Sequence, residues 1–273
     1  MRYDPVKDKL GRLFGRQPWL QLLFFALMNV LLLRAWHVRR ALRQILGGKG
    51  RPLRVLDAGT GFGQYAWYVA RAFAETEVVA VDIKRDYLER AHALFAKRAP
   101  NISVHYDDLT ALRSSGPFDC ILAIDVLEHI EDDRGALEHC ARVLAPGGHV
   151  VISTPSDLGG SDVHTEGADS FIEEHVREGY NKPALERTLR EAGLRIASSR
   201  YTYGPYGSLA WRLVMKVPLR LLNTSWALAL LLPLYYVLTM PLALILHTMD
   251  LHHANTRGTG LLVVAQKPRT KKQ

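Results

Sequence analysis

Cysteine is scarce. The 273 residues contain two, Cys120 and Cys140, which excludes a disulfide framework and a cysteine-built metal centre and fits a reducing, cytosolic setting. Both fall in apolar stretches, where a free cysteine packs as a small core residue. Charge is missing from two long stretches, because no Asp, Glu, Lys or Arg occurs between residues 18 and 33 or between 221 and 249. Acidic residues are nearly absent from the ends. Residues 1–50 hold ten Lys/Arg against two Asp/Glu and residues 196–273 hold nine against one, while residues 51–195 hold 16 against 24. The cations flank uncharged runs and do not cluster with aromatic residues, which argues against a nucleic-acid partner and for an anionic membrane surface. No small-residue cleavage site follows the first apolar run, so it does not read as a cleaved signal peptide.

What is present centres on Val55-Leu56-Asp57-Ala58-Gly59-Thr60-Gly61-Phe62-Gly63-Gln64-Tyr65. An apolar strand, Leu53 to Leu56, turns through three alternate glycines into a helix from about Gln64 to Phe73. Such glycines let the backbone pass close beneath a ligand, and the helix start offers free N–H groups. A dinucleotide fingerprint would need its third glycine at position 64, which is Gln64. Strands and helices then alternate as a doubly wound parallel sheet requires. Glu77 to Val81 ends in Asp82, and an acid there can accept from ribose hydroxyls. Arg85 to Ala99 reads as a helix and Ile102 to Tyr106 as a strand ending in Asp107-Asp108-Leu109. Phe118 to Ile124 is continuously apolar, as a strand buried on both faces should be. It leads into Asp125-Val126-Leu127-Glu128-His129, a helix to about Leu144, the turn Ala145-Pro146-Gly147-Gly148 and the strand His149 to Ser153.

These motifs, in this order over residues 53–155, resemble the class I S-adenosylmethionine (SAM)-dependent methyltransferases, and locally the UbiE/UbiG-type subgroup. The resemblance implies a Rossmann-like α/β fold, doubly wound, with a seven-stranded mostly parallel sheet and an antiparallel last strand. It also implies SAM as cofactor. Asp57, Gly59, Gly61 and Gly63 would hold the methionine end, Asp82 the ribose with Ile83 beside it, and Asp108 with Leu109 the adenine, Asp107 being the alternative acid. Asp125 is counted with the cofactor-binding residues. In UbiG-like enzymes the positions of Asp125, Glu128 and His129 have been assigned to a divalent metal. Relatives also keep Leu-Glu-His without one, and no metal is expected here. For a general base the candidates are His175, then His164, both in the long connection Ser156 to Gly179, and His129. A structural role for His175 and Arg177, fixing that loop by hydrogen bonds, is the alternative.

Four segments follow: a basic apolar helical segment (1–50), a SAM-binding core (51–203), an apolar helical insert (204–258) and a last strand with a basic tail (259–273). Pro18 to Leu33 spans about 24 Å as a helix, short of the ~30 Å of a bilayer core. It reads as an interfacial helix, as a helix packed on the insert, or as a single anchor, with Ala35 to Leu46 continuing it as an amphipathic helix. In the insert, Trp226 to Leu246 is long enough to cross, but both its ends return to one sheet. Pro233 and Pro241 should break the run into a re-entrant or in-plane hairpin with Tyr235 and Tyr236 at the interface. A soluble cap is the other reading. The expectation is an enzyme that methylates a hydrophobic small molecule or lipid from the cytoplasmic side of the membrane, as a peripheral or monotopic protein. The alternatives are a non-catalytic SAM- or nucleotide-binding adaptor and an NAD-dependent reductase.

Overall fold

The computed structural model describes residues 17–73, 75–159 and 176–269. Two helices, α1 (Pro18–Leu31) and α2 (Leu33–Leu46), lead into β1 (Leu53–Ala58), α3 (Gln64–Ala72), β2 (Thr76–Asp82), α4 (Arg85–Arg98) and β3 (Ile102–Tyr106). There follow β4 (Phe118–Ile124), α5 (Asp133–Val143), β5 (Leu144–Pro155), α6 (Lys182–Glu191) and β6 (Arg195–Thr202). The insert forms α7 (Pro205–Trp211), a wide turn at Arg212–Lys216, α8 (Val217–Thr224) and α9 (Leu232–His252), and β7 (Gly260–Gln266) closes the order.

The seven strands lie in the order β3-β2-β1-β4-β5-β7-β6. All pair in parallel except β7, which runs antiparallel between β5 and β6. The resemblance implied this arrangement. The chain winds outward from β1 to one edge and from β4 to the other, so a crevice opens at the carboxyl ends of these two neighbours.

Central strands buried on both faces need apolar side chains on both, and β4 is buried at every position. On one face α2, α3 and α4 cover Val55, Ala80, Leu122 and Val264, and on the other α5 and α6 cover Leu56, Val79, Ile152 and Val263. Cys120 and Cys140 are buried and unpaired, and burial pushes both thiols up to about 12. Local caps set the helix starts: Asp132 accepts from Gly135 N–H at 2.9 Å before α5, and Asn181 from Ala184 N–H at 3.2 Å before α6.

Four features differ from the sequence expectation. The apolar and amphipathic parts of the N-terminal segment are not one helix, for the chain breaks at extended Leu32 and bends by 90°. α2 is a core helix despite its cations, with Val38, Leu42 and Ile45 in the cluster against the sheet. Pro241 lies inside α9 without ending it, while Pro233 sits in the first turn, where a missing N–H costs nothing. Tyr235 and Tyr236 turn their hydroxyls inward, donating to the Leu213 and Val214 carbonyls at 2.7 and 2.9 Å. These two bonds close α9 against the wide turn.

Candidate active site

The glycine turn is built from its backbone. Gly59, Gly61 and Gly63 have φ of 78°, 54° and 87°, values at which a side chain is strained. A Cβ on Gly59 would lie 2.3 Å from Val126 and one on Gly63 2.4 Å from Phe95, so these two pack against the protein. A Cβ on Gly61 meets nothing within 4 Å, and there the backbone lies open. The Gly59 and Thr60 N–H groups donate to the Val81 carbonyl at 2.8 and 2.9 Å, which ties the turn to the end of β2.

Three carboxylates support this loop and its neighbours. Asp57 is buried beneath it and accepts from the Thr60 hydroxyl at 2.7 Å and the Ala66 N–H at 3.0 Å. It braces the turn and the start of α3 together. Burial pushes its carboxyl up to about 6, against the opposing effect of those two bonds. Asp82 ends β2 and accepts from Gly61 N–H at 2.8 Å on one oxygen and Lys84 N–H at 2.9 Å on the other. Ile83 beside it is an apolar side chain 56% exposed at the carboxyl edge. Asp107 accepts from the N–H groups of Asp108, Arg113 and Ser114 and from the Ser114 hydroxyl. Burial opposes its charge, but these donors hold the carboxyl below its ordinary range. Asp108 caps the short turn Leu109–Ala111, and both its bonds, from Thr110 N–H and hydroxyl at 2.8 Å, fall on Oδ1. Asp107 is thus spent on its own loop.

Past β4, Asp125 has φ 52° and forms an ion pair with Arg34 from α2. The Arg34 N–H donates to the Tyr203 hydroxyl at 3.1 Å, and Tyr203, just beyond β6, has φ 54°. Among the described residues these are the two non-glycine residues at positive φ, and both contact Arg34. Strain of this kind, of order 1–3 kcal/mol each, persists where the surroundings fix it and gathers at functional sites. Tyr65 stands beside Arg34, its buried hydroxyl without a well-formed hydrogen bond. The sequence reading did not single out Tyr65 or Tyr203, and it took Arg34 as one of several cations flanking a membrane segment. The readable signal was that Arg34 is the first charge after an uncharged helix. Two of the following cations also face the protein: Arg39 lies over the Tyr68 ring, and Arg40 donates to the Leu251 carbonyl at 2.7 Å.

Asp125, Glu128 and His129 do not form a metal centre. Asp125 is taken by Arg34, Glu128 is buried and accepts from the Thr154 hydroxyl at 3.0 Å, and His129 is exposed on the turn Leu127–His129. No three such side chains converge among the described residues. Burial raises the Glu128 carboxyl. His164 and His175 lie outside the described residues. Arg177, among the described residues, pairs with Asp133 and donates to the Ile130 and Glu131 carbonyls at 3.0 and 3.1 Å. Arg177 therefore has the structural role foreseen as the alternative.

A family profile described as "Methyltransferase domain" matches residues 33–199. The chain belongs to this family. The protein is a SAM-dependent methyltransferase (EC 2.1.1.-), and the dinucleotide and adaptor readings fall away. The match begins at α2, a core helix, and stops before the insert. A ubiquinone biosynthesis O-methyltransferase from Alkalilimnicola ehrlichii is 34% identical over 177 residues, covering 59% of this chain and 68% of that one. The enzyme of the same name from Ralstonia nicotianae is 36% identical over 107 residues, covering 37% of this chain and 42% of that one. Among solved structures, phosphoethanolamine N-methyltransferase 2 of Haemonchus contortus, bound to SAM, superposes with a TM-score of 0.62 at 18% identity. That match covers 96% of this chain and 60% of the other. The residues of the crevice fit SAM: the open backbone at Gly61 leaves room that any Cβ would narrow, and Asp82 at the end of β2 and Asp108 just past β3 offer carboxylate acceptors.

Asp57 makes the methyltransferase's stability depend on pH. Its folded pKa lies above the ordinary carboxylate value, so its contribution is full below about pH 4 and is lost as pH rises through about 6. Relative to Asp57→Asn, the wild type is expected to lose about 3 kcal/mol of unfolding free energy between pH 4 and 7. Denaturant unfolding of both proteins across that range checks it, and parallel curves would refute the raised pKa.

Proposed function

We propose that the methyltransferase transfers its methyl group to a hydrophobic small molecule or lipid at the surface of a membrane. The observation that carries this reading is the outward side of α9. Val237 and Leu238 are 70% and 72% exposed, Leu234 and Ile245 are also exposed, and no charged residue interrupts the run from 221 to 249. A monomer in water rarely leaves so much contiguous apolar surface uncovered. The insert leaves the sheet at β6 and returns to it at β7, and a single crossing would place these neighbours on opposite sides of the bilayer. α9 therefore lies on or dips into one leaflet, and the crevice works from the cytoplasmic side. The name shared by the curated relatives, ubiquinone biosynthesis O-methyltransferase, supports a small-molecule acceptor.

Bound SAM supplies a methyl group on a cationic sulfur that is already activated for displacement. The chain's own task is then alignment and exclusion of water. In this reading Asp57 and the three glycines shape the seat of the methionine end, Asp82 accepts from the ribose hydroxyls, and Ile83 packs on the adenosine. Asp108 and Leu109 take the adenine edge, and Asp125 lines the crevice beside them. Where the acceptor carries a proton, His175 or His164 removes it, with His129, in the turn after β4, the third candidate.

The test is methyl transfer from labelled SAM into an organic extract of membranes. Label in a lipid-soluble product is expected. Label confined to the aqueous phase would overturn the hydrophobic acceptor while leaving the methyltransferase in place.

A further inference from the structure

α1 lacks the polar outer face of a helix in water. It contains no charged residue and only two polar side chains suited to solvent, Gln21 and Asn29, and both are turned towards the protein. Gln21 is buried and donates to the Phe62 carbonyl at 3.3 Å, and Asn29 accepts from the Gln64 side chain at 2.9 Å. Phe24 adds an edge-on contact to the Phe62 ring at 5.7 Å. Phe62 and Gln64 belong to the glycine turn, so the inner face of α1 sits directly on the loop proposed to hold SAM. The outer face carries Trp19, Leu23, Leu27 and Val30, at helical spacing and 60%, 46%, 42% and 41% exposed. A helix packed on a soluble protein shows the reverse pattern. Phe25 is buried on the inner face as well, so α1 is apolar on both faces and turns its few polar groups to protein, the pattern of a helix whose outer neighbour is lipid.

The end of α1 is also tied to the insert. Trp36 of α2 donates from its indole to the Val30 carbonyl at 3.2 Å and packs edge-on against His247 of α9, with ring centroids 5.3 Å apart. One tryptophan therefore links the end of α1 to the helix already read as membrane-bound. The sharp break at extended Leu32 separates α1 from α2, so α1 is seated by its own contacts, Gln21 and Phe24 on the turn and Phe25 in the core cluster.

We infer that the bilayer occupies the outer face of α1, and that lipid contact there keeps α1 seated on the glycine turn, so the protein binds SAM more tightly at a membrane than in solution. The inference rests on the membrane reading above and adds a regulatory role for a segment that touches the turn but none of the reacting atoms. A ligand or surface shifts such an equilibrium only through differential contact with the two positions. Here the differential contact is the stripe Trp19–Val30, which meets lipid only when α1 lies down.

The test uses the full chain, vesicles of phosphatidylcholine and phosphatidylglycerol, and S-adenosylhomocysteine as a non-reacting probe measured by calorimetry. Vesicles are expected to tighten binding by about three- to tenfold, the factor expected of a cover seated only part of the time in water. The double variant Leu23→Gln/Leu27→Gln, altered only at exposed positions, should still sediment with vesicles through α9. Its affinity should equal the wild type's without vesicles and show no tightening with them. Wild type that sediments with vesicles but binds the probe no more tightly overturns this inference alone, as does a double variant that tightens like wild type. Wild type that fails to sediment overturns the membrane reading and the inference with it. A stable dimer that buries the stripe and ignores vesicles assigns the face to a second copy, which also overturns the inference.

Discussion

Replacing Asp82 with alanine is expected to weaken SAM binding by about two to four orders of magnitude. The carboxylate spans two backbone N–H groups, from Gly61 in the glycine turn and from Lys84 at the head of α4. It thereby fixes how far the turn stands from β2. In the proposed site its oxygens also accept from the ribose, and a hydrogen bond to a charged group contributes about 1.5–3 kcal/mol. Two such bonds correspond to the stated loss. Asp82 is only half-buried, so its removal leaves no enclosed orphan group and should barely lower the melting temperature. Calorimetry with SAM, thermal unfolding and the transfer rate at saturating SAM separate these effects. An unchanged Kd would remove Asp82 from the cofactor site.

The second large effect concerns Asp250, which is fully buried near the end of α9. It accepts from the N–H groups of Gly204 and Gly207 at 2.8 and 3.1 Å, from the Asn255 side chain at 3.2 Å and from His37 Nε2 at 3.0 Å. Burial holds His37 below its usual value against the pull of Asp250, so a neutral ring donates to the carboxylate. One side chain therefore joins α9, the entry to α7 and helix α2. Asp250→Ala strands buried donors on three segments, and losing one partner of such a cluster costs about 3–5 kcal/mol. The variant is expected to unfold at a markedly lower denaturant concentration, with limited proteolysis cutting first around the insert. Asp250→Asn, which keeps one acceptor oxygen, should fall between the two. Wild-type stability in the alanine variant would mean that the insert docks independently of this junction.

Much of this architecture was legible in the residues. Strands buried on both faces must be apolar throughout, so Phe118–Ile124 announced itself, and Asp57, Asp82 and the glycines mark strand ends because turns need what strands exclude. The break at Leu32 was not legible, because it contains no proline or glycine. It follows instead from tertiary demand, for α2 must lie on the sheet while α1 lies on the turn. Pro241 misled in the opposite direction: a long helix tolerates one lost N–H where packing and neighbouring bonds hold both sides. The turn Ala145–Gly148 joined the run of β5 as an irregularity between Phe118 and Cys120 pairings, a matter of register that composition does not carry. Around the crevice, the glycine turn and the acids at the strand ends stood out in the residue pattern. Arg34, Tyr65 and Tyr203 were not, because three distant segments bring them together.

The place of β7 between β5 and β6 has a consequence for how the chain assembles. Until residues 260–266 have left the ribosome, β6 has no partner strand and β5 presents a bare edge. The insert is synthesised during that interval, so its uncharged helices emerge while one edge of the sheet is still open. Truncation after the insert would leave β6 unattached and expose the β5 edge to pairing with other chains. The sheet thus closes last with a strand from the far end of the chain, a long-range contact of the kind that slows folding, and the insert must find its surface before the core is complete.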